Sequence, residues 1–161
     1  MKVLLSFIVF LFAIGVSLAN QPASKHSKST TPYATVMQKT FVFNPRTKSW
    51  AAYLNGRKIN GGVANGGKSG YRTPSGVFRV YGKQGPSYRS SRYPIHRNGT
   101  RGGAPMPYAM HFTVAGHAIH GSPQISNQNS SHGCIRVTTS AARWLNQNFI
   151  TIGTKVVVYP Y

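Results

Sequence analysis

The sequence predicts a mostly β domain with one helix packed on a sheet. Three observations predict it: short runs rich in β-branched and aromatic residues recur from Val36 to Tyr159, turn signals separate them, and one stretch alone carries helically spaced apolar residues. Val36 to Asn44 and the run SWAAYLNGRKI read as paired strands, with Asn55-Gly56 as a strong hairpin signal. Asn60 to Gly70 holds five glycines and reads as a loop, and Val77 to Tyr81 is the next strand. Residues 82–105, dense in Gly, Pro, Ser, Tyr and Arg, read as a long surface connection of the kind that often carries function. MHFTVAG and HAIHG are each apolar enough for a strand, and the polar loop SPQISNQNSSHG follows. The helix comes next: Thr139 or Ser140 can cap it, and Ala141, Ala142, Trp144, Leu145 and Phe149 lie largely on one face. Thr154 to Tyr159 closes the chain as a buried strand.

Ahead of this domain, residues 1–19 read as a signal peptide. Lys2 supplies the basic start, Val3 to Val16 the apolar run, and Ser17-Leu18-Ala19 a small-x-small cleavage site, so the mature chain is expected to begin at Asn20. The apolar run is too short to span a bilayer, so no membrane span is expected after cleavage. Residues 20–35 are polar and rich in Ser, Thr and Lys, and are expected to form a flexible linker, with His26 a solvated residue within it. Residues 36–161 then form one domain, long enough to bury a core.

The charge balance excludes whole mechanisms. The chain has 19 Lys and Arg and no Asp or Glu, a formal charge of +19. A two-carboxylate glycosidase, an aspartic dyad, a zinc peptidase with a Glu base and a Ser-His-Asp triad therefore cannot be built. Any activated nucleophile must have its imidazole oriented by a backbone carbonyl, an amide side chain or a hydroxyl. Acid unfolding, which usually follows protonation of side-chain carboxylates, has no such groups to act on, and stability is expected to change little from pH 5 to pH 2.

Cys134 is the one cysteine, and a lone thiol sent to an oxidising compartment is a liability unless used or buried. It follows Ser131-His132-Gly133 at the end of a polar loop, and Arg136 two residues on favours a thiolate and can grip a carboxylate. His111, His117, His120 and His132 are candidate bases. His120 stands out because it ends an apolar strand just before Gly121.

Ala118-Ile119-His120-Gly121 followed by Ser131-His132-Gly133-Cys134-Ile135-Arg136 resembles the signature of the L,D-transpeptidase catalytic domain, the YkuD domain. Thr73-Pro74-Ser75-Gly76-Val77-Phe78, Met106-Pro107-Tyr108 and Gly153-Thr154-Lys155-Val156 are similar to further segments of that pattern, in the same order. The resemblance implies a mixed β-sandwich or barrel-like fold and acyl transfer on peptidoglycan stem peptides. It implies Cys134 as nucleophile, His120 as general base and the Gly121 carbonyl as the group orienting it. Amides near Gly133 and Cys134 would hold the oxyanion, Ser131, His132, Gly133 and Arg136 would shape the pocket and hold substrate, and Met106 and Tyr108 would line its mouth. No cofactor and no metal is implied, and a carbapenem is expected to acylate Cys134. Ten residues separate His120 from Ser131, shorter than the family's usual connection.

The expected protein is secreted, periplasmic or cell-wall associated, and monomeric. Its expected partners are stem peptides and anionic envelope polymers, with no specific nucleic acid. Whether an amine or water resolves the acyl-enzyme is open, so an L,D-carboxypeptidase is the alternative enzyme. A cationic envelope-binding protein without catalysis is the alternative from another class, suggested by interleaved Tyr88, Arg89, Arg92 and Tyr93. A zinc set of His117, His120, His132 and Cys134 lacks the usual tight pairing of ligands.

Overall fold

A computed structural model describes residues 37–123 and 125–161. The signal peptide, its cleavage site and the linker expected up to residue 35 lie outside the described residues.

Alternation of apolar residues builds the first hairpin. Strand β1 (Lys39–Asn44) pairs antiparallel with β2 (Ser49–Leu54), placing Phe41 opposite Ala52 and Phe43 opposite Trp50. These four side chains are buried on one face, each phenylalanine contributing about 1.5–3 kcal/mol relative to exposure. The turn into β3 (Arg57–Asn65) runs through Asn55 and Gly56, both with positive φ (49° and 80°), as a two-residue hairpin turn with right-handed strand twist demands.

The first part of the glycine run read as a loop, Asn60 to Asn65, is instead the second half of β3, and Gly66 to Gly70 lie beyond it. Gly61 and Gly62 lie against β2: a Cβ on Gly61 would sit 2.8 Å from the Trp50 carbonyl oxygen, and one on Gly62 3.1 Å from the indole nitrogen. The glycines let the strand approach Trp50, and a register shift between Ala52 and Tyr53 marks the adjustment.

The last strand, β9 (Lys155–Val158), lies parallel to β1 and antiparallel to β4 (Gly76–Arg79), with Val156 and Val158 turned into the core. On the other side of β3 the sheet continues through β8 (Ile135–Val137), β7 (Ala118–Gly121), β6 (Met110–His111) and β5 (Gly82–Lys83). MHFTVAG is thus only partly strand: Thr113 to Gly116 is the turn of a hairpin, closed by the Phe112 N–H donating to the His117 carbonyl at 3.0 Å.

The strand order is β4-β9-β1-β2-β3-β8-β7-β6-β5, so β4 and β5 are opposite edges of one nine-stranded sheet. Only Val80 and Tyr81 join them. The Val80 N–H donates to the Thr154 carbonyl at 3.0 Å and the Tyr81 N–H to the His111 carbonyl at 2.9 Å. The sheet therefore curls until its edges nearly meet, the barrel-like form expected.

The helix α1 (Thr139–Trp144) continues into a wider π-helical turn, Leu145–Phe149. Its cap is Thr138, one residue before the expected position, accepting from the Ala141 N–H at 3.2 Å. Ala142, Leu145 and Phe149 seal the core, and buried Asn146 donates to the carbonyls of Gln84 and Tyr108.

Candidate active site

Two parallel strands create the site. In the β7–β8 pair Ile119 faces Ile135, His120 faces Arg136 and Gly121 faces Val137. Side chains alternate along a strand, so Ile119, Ile135 and Val137 enter the core while His120, Cys134 and Arg136 share the opposite face. All three line one cavity of about 610 Å³. The pairing needs no long crossover: the His120 to Ser131 connection suffices because side chains from other elements pin it. Asn65, wholly buried, exchanges two hydrogen bonds with the Ser126 backbone at 2.6 and 2.8 Å. Asn129 accepts from the Gly66 N–H and donates to the Pro45 carbonyl.

The turn before the sulfur is equally fixed. The Ser131 hydroxyl donates to the Cys134 carbonyl at 2.6 Å and accepts from the Gly133 N–H at 3.0 Å. Gly133 has φ 112°, and a Cβ there would lie 2.7 Å from the His117 ring. Glycine is required on both counts. The Gly133 N–H is thus held by the Ser131 hydroxyl.

His120 is 5 % exposed, and its Nδ1–H donates to the Gly121 carbonyl at 2.8 Å. A carbonyl only accepts, so the proton of the neutral ring sits on Nδ1 and leaves Nε2 with its lone pair. Burial pushes the ring down to about 4, against the Gly121 bond, which raises it, with the charges of Arg136 and His111 lowering it further. Burial likewise pushes the partly buried Cys134 thiol up, opposed by the Ala118 N–H aimed at the sulfur and by Arg136. The sulfur also lies 4.0 Å from the Gly116 carbonyl oxygen. At neutral pH both groups are uncharged. Arg136 acts on the thiol in the expected direction, but burial outweighs it.

Four histidines, His111, His117, His120 and His132, are held below 6.5, with burial the first cause in each. A lowered histidine favours the neutral form in the folded state, so as pH falls the unfolded chain binds protons that the native one refuses. Stability should therefore drop between pH 6.5 and about 4, by on the order of 3 kcal/mol from His120, and level off below. Acid sensitivity thus lies in the histidines, mostly above the pH 5 to pH 2 window that the missing carboxylates leave flat. Melting temperature against pH at constant ionic strength checks this, and a flat profile from pH 7 to 4 would contradict it.

The structure brings Met106, His120, Ser131, His132, Cys134 and Arg136 to the cavity. Gly121 and Gly133 do not line it: the Gly121 carbonyl orients His120, and Gly133 shapes the turn before Cys134. Tyr108 does not line it: with φ 58° it packs against the main core, its N–H on the Gly85 carbonyl. Sequence reasoning missed the outer wall. Tyr93 stacks on His132 with ring centroids 4.4 Å apart, and Tyr71 meets the same imidazole edge-on at 4.9 Å. Arg72, Arg92 and Ser122 also line the cavity. The Tyr–Arg interleaving near Arg92 was a signal, but its convergence with residues 71–72 is long-range.

The family model of the L,D-transpeptidase catalytic domain (YkuD) matches residues 38–158. No curated protein matches the chain. Among solved structures, an L,D-transpeptidase from Mycobacterium smegmatis is similar with a TM-score of 0.67 and 22% identity, over 77% of this chain and 59% of that one. L,D-transpeptidase 3 from Mycobacterium tuberculosis, in complex with a faropenem-derived adduct, gives 0.66 and 22%, over 77% and 61%. The L,D-transpeptidase from Xylanimonas cellulosilytica gives 0.66 and 28%, over 76% and 61%. This chain spans about three fifths of those structures. With the family model covering most of its length and the curled sheet shared with these enzymes, the chain belongs to the L,D-transpeptidase catalytic domain family.

Proposed function

We propose that this chain is a secreted, envelope-located peptidoglycan L,D-transpeptidase that works through a Cys134 thioester. The observation that carries the reading is the placement of Cys134 and His120 on one face of paired parallel strands, opening on one cavity, with the imidazole oriented by a main-chain carbonyl. This dyad needs no acidic residue, which suits a chain that has none.

His120 Nε2 takes the proton of the Cys134 thiol as sulfur attacks the carbonyl before the terminal D-Ala of a tetrapeptide stem. We assign the Cys134 amide to the oxyanion, since Ser131 occupies that of Gly133. His120 returns the proton to the leaving D-Ala amine, and a thioester remains. An amine from a second stem then attacks the thioester, gives its proton to His120 and regenerates the thiol. With His120 weakly basic and the thiol raised by burial, proton transfer to Nε2 accompanies the attack of sulfur rather than preceding it.

Incubation with tetrapeptide stems tests the proposal. Intact mass should show the chain plus an acyl tripeptide, and the products should include cross-linked dimers. Free tripeptide alone would assign the chain to L,D-carboxypeptidases, with water as acceptor. Unchanged stems and no adduct would leave the cationic reading, envelope binding through the +19 charge, in its place.

A further inference from the structure

Beyond the dyad, the cavity is walled by cations for which the chain has no side-chain anion. Two dipeptides of the same kind, Tyr71-Arg72 and Arg92-Tyr93, come from loops far apart in sequence and converge on His132 through their tyrosines. Their arginines line the same cavity as Arg136. Arg92 is anchored by donating from Nη1 to the Ala115 carbonyl at 2.7 Å, beside the Gly116 carbonyl that neighbours the sulfur. Arg72 lies over the Tyr161 ring at 5.2 Å, a contact that holds the stem and leaves the guanidinium edge to a ligand. With no Asp or Glu in the sequence, no side-chain carboxylate can pair with these groups. The one carboxylate of the chain, its C-terminus, accepts from Arg46 at 3.1 Å, so an anion for these arginines comes best from a ligand.

We propose that Arg72 and Arg92 are specificity-determining residues that select acyl donors with free carboxylates flanking the reacting carbonyl over the same donors as carboxamides. This rests on the function proposed above and names the charge state of its substrate. A carboxamide keeps the shape of the carboxylate but offers one oxygen in place of two and no charge, so it loses the charge-assisted, bidentate part of the contact. Each such contact discriminates by about tenfold to a hundredfold. Solvent reaches both arginines, so the preference should shrink as salt rises.

The test uses two synthetic tetrapeptide stems of one sequence, with the glutamyl and third-residue carboxylates free in one and amidated in the other. Binding of each to the Cys134→Ala protein is measured by calorimetry, and acylation of the unsubstituted protein by intact mass. The expected result is a tenfold or greater preference for the free form, reduced at least fivefold by Arg92→Gln and by Arg72→Gln and reduced less by Arg92→Lys, which keeps the charge without the bidentate fork. The lysine variant guards against a turn that shifts when the Ala115 bond is lost. Equal affinity for the two peptides, or a preference untouched by either glutamine variant, would overturn the proposal. Selective binding without any thioester would uphold it and sink the transpeptidase reading instead.

Discussion

Replacing Cys134 by alanine is expected to abolish acylation by a tetrapeptide donor, lowering turnover by about 10⁴-fold or more, as removal of a covalent nucleophile does. The fold should survive. Cys134 is partly buried against Met106, Ala109 and Ala118, it forms no disulfide because it is the one cysteine, and its sulfur is met by the Ala118 N–H and by the Gly116 carbonyl at 4.0 Å, neither of which the fold depends on. Truncation removes one atom from a site already open to the cavity, so the melting temperature should move by a few degrees at most. His120→Asn separates the base from its anchor. The asparagine amide can keep a donor near the Gly121 carbonyl while no nitrogen lone pair replaces Nε2, and acylation should fall by about 10²- to 10⁴-fold. Intact mass after rapid mixing reads both variants. Cys134→Ala turning over within tenfold of the unsubstituted protein would end the thioester mechanism.

Local signals were the legible ones. Asn55-Gly56 announces its hairpin because both residues readily take the left-handed conformation that this two-residue turn uses, and the alternation of Phe41 and Phe43 announces a one-sided strand. The dyad was legible through its motifs, and the register of β7 against β8 explains why: with His120 opposite Arg136, two residues of alternation carry Cys134 onto the same face. Gly61 and Gly62 misled because composition cannot distinguish a glycine needed for a turn from one needed to clear an indole. The outer wall was hidden for the same reason at longer range. Tyr71 and Tyr93 meet only because the sheet curls, and Tyr108, beside the motif in sequence, is turned away by its positive φ.

Gly67→Ala is expected to be the most damaging single methyl in this part of the molecule. The added Cβ would land on the Tyr71 carbonyl oxygen, 2.7 Å from its carbon and 3.0 Å from the Arg72 Cα. These are backbone atoms, so no side-chain rotation relieves the overlap. Movement is blocked on the other side too. Gly67 pairs with Ser131, the Lys68 N–H donates to the Ser131 carbonyl at 3.0 Å, and the Ser131 N–H donates to that of Gly66 at 3.0 Å. The Gly67 N–H itself is held by buried Thr73 at 3.1 Å. Whichever strand yields, either the Tyr71-Arg72 wall or the Ser131 turn behind Cys134 leaves its place. A loss of more than about 3 kcal/mol is expected, a fall in melting temperature of about 10 °C or more. Gly85→Ala is the control: its Cβ meets nothing within 4 Å, and its stability should stay within about 0.5 kcal/mol. Equal melting curves for the two variants would mean that the turn from Gly67 to Tyr71 is not the rigid link between fold and cavity described above. If Gly67→Ala folds at lowered temperature, it should also acylate more slowly than the unsubstituted protein, because the same carbonyl displacement that costs stability moves the cavity wall.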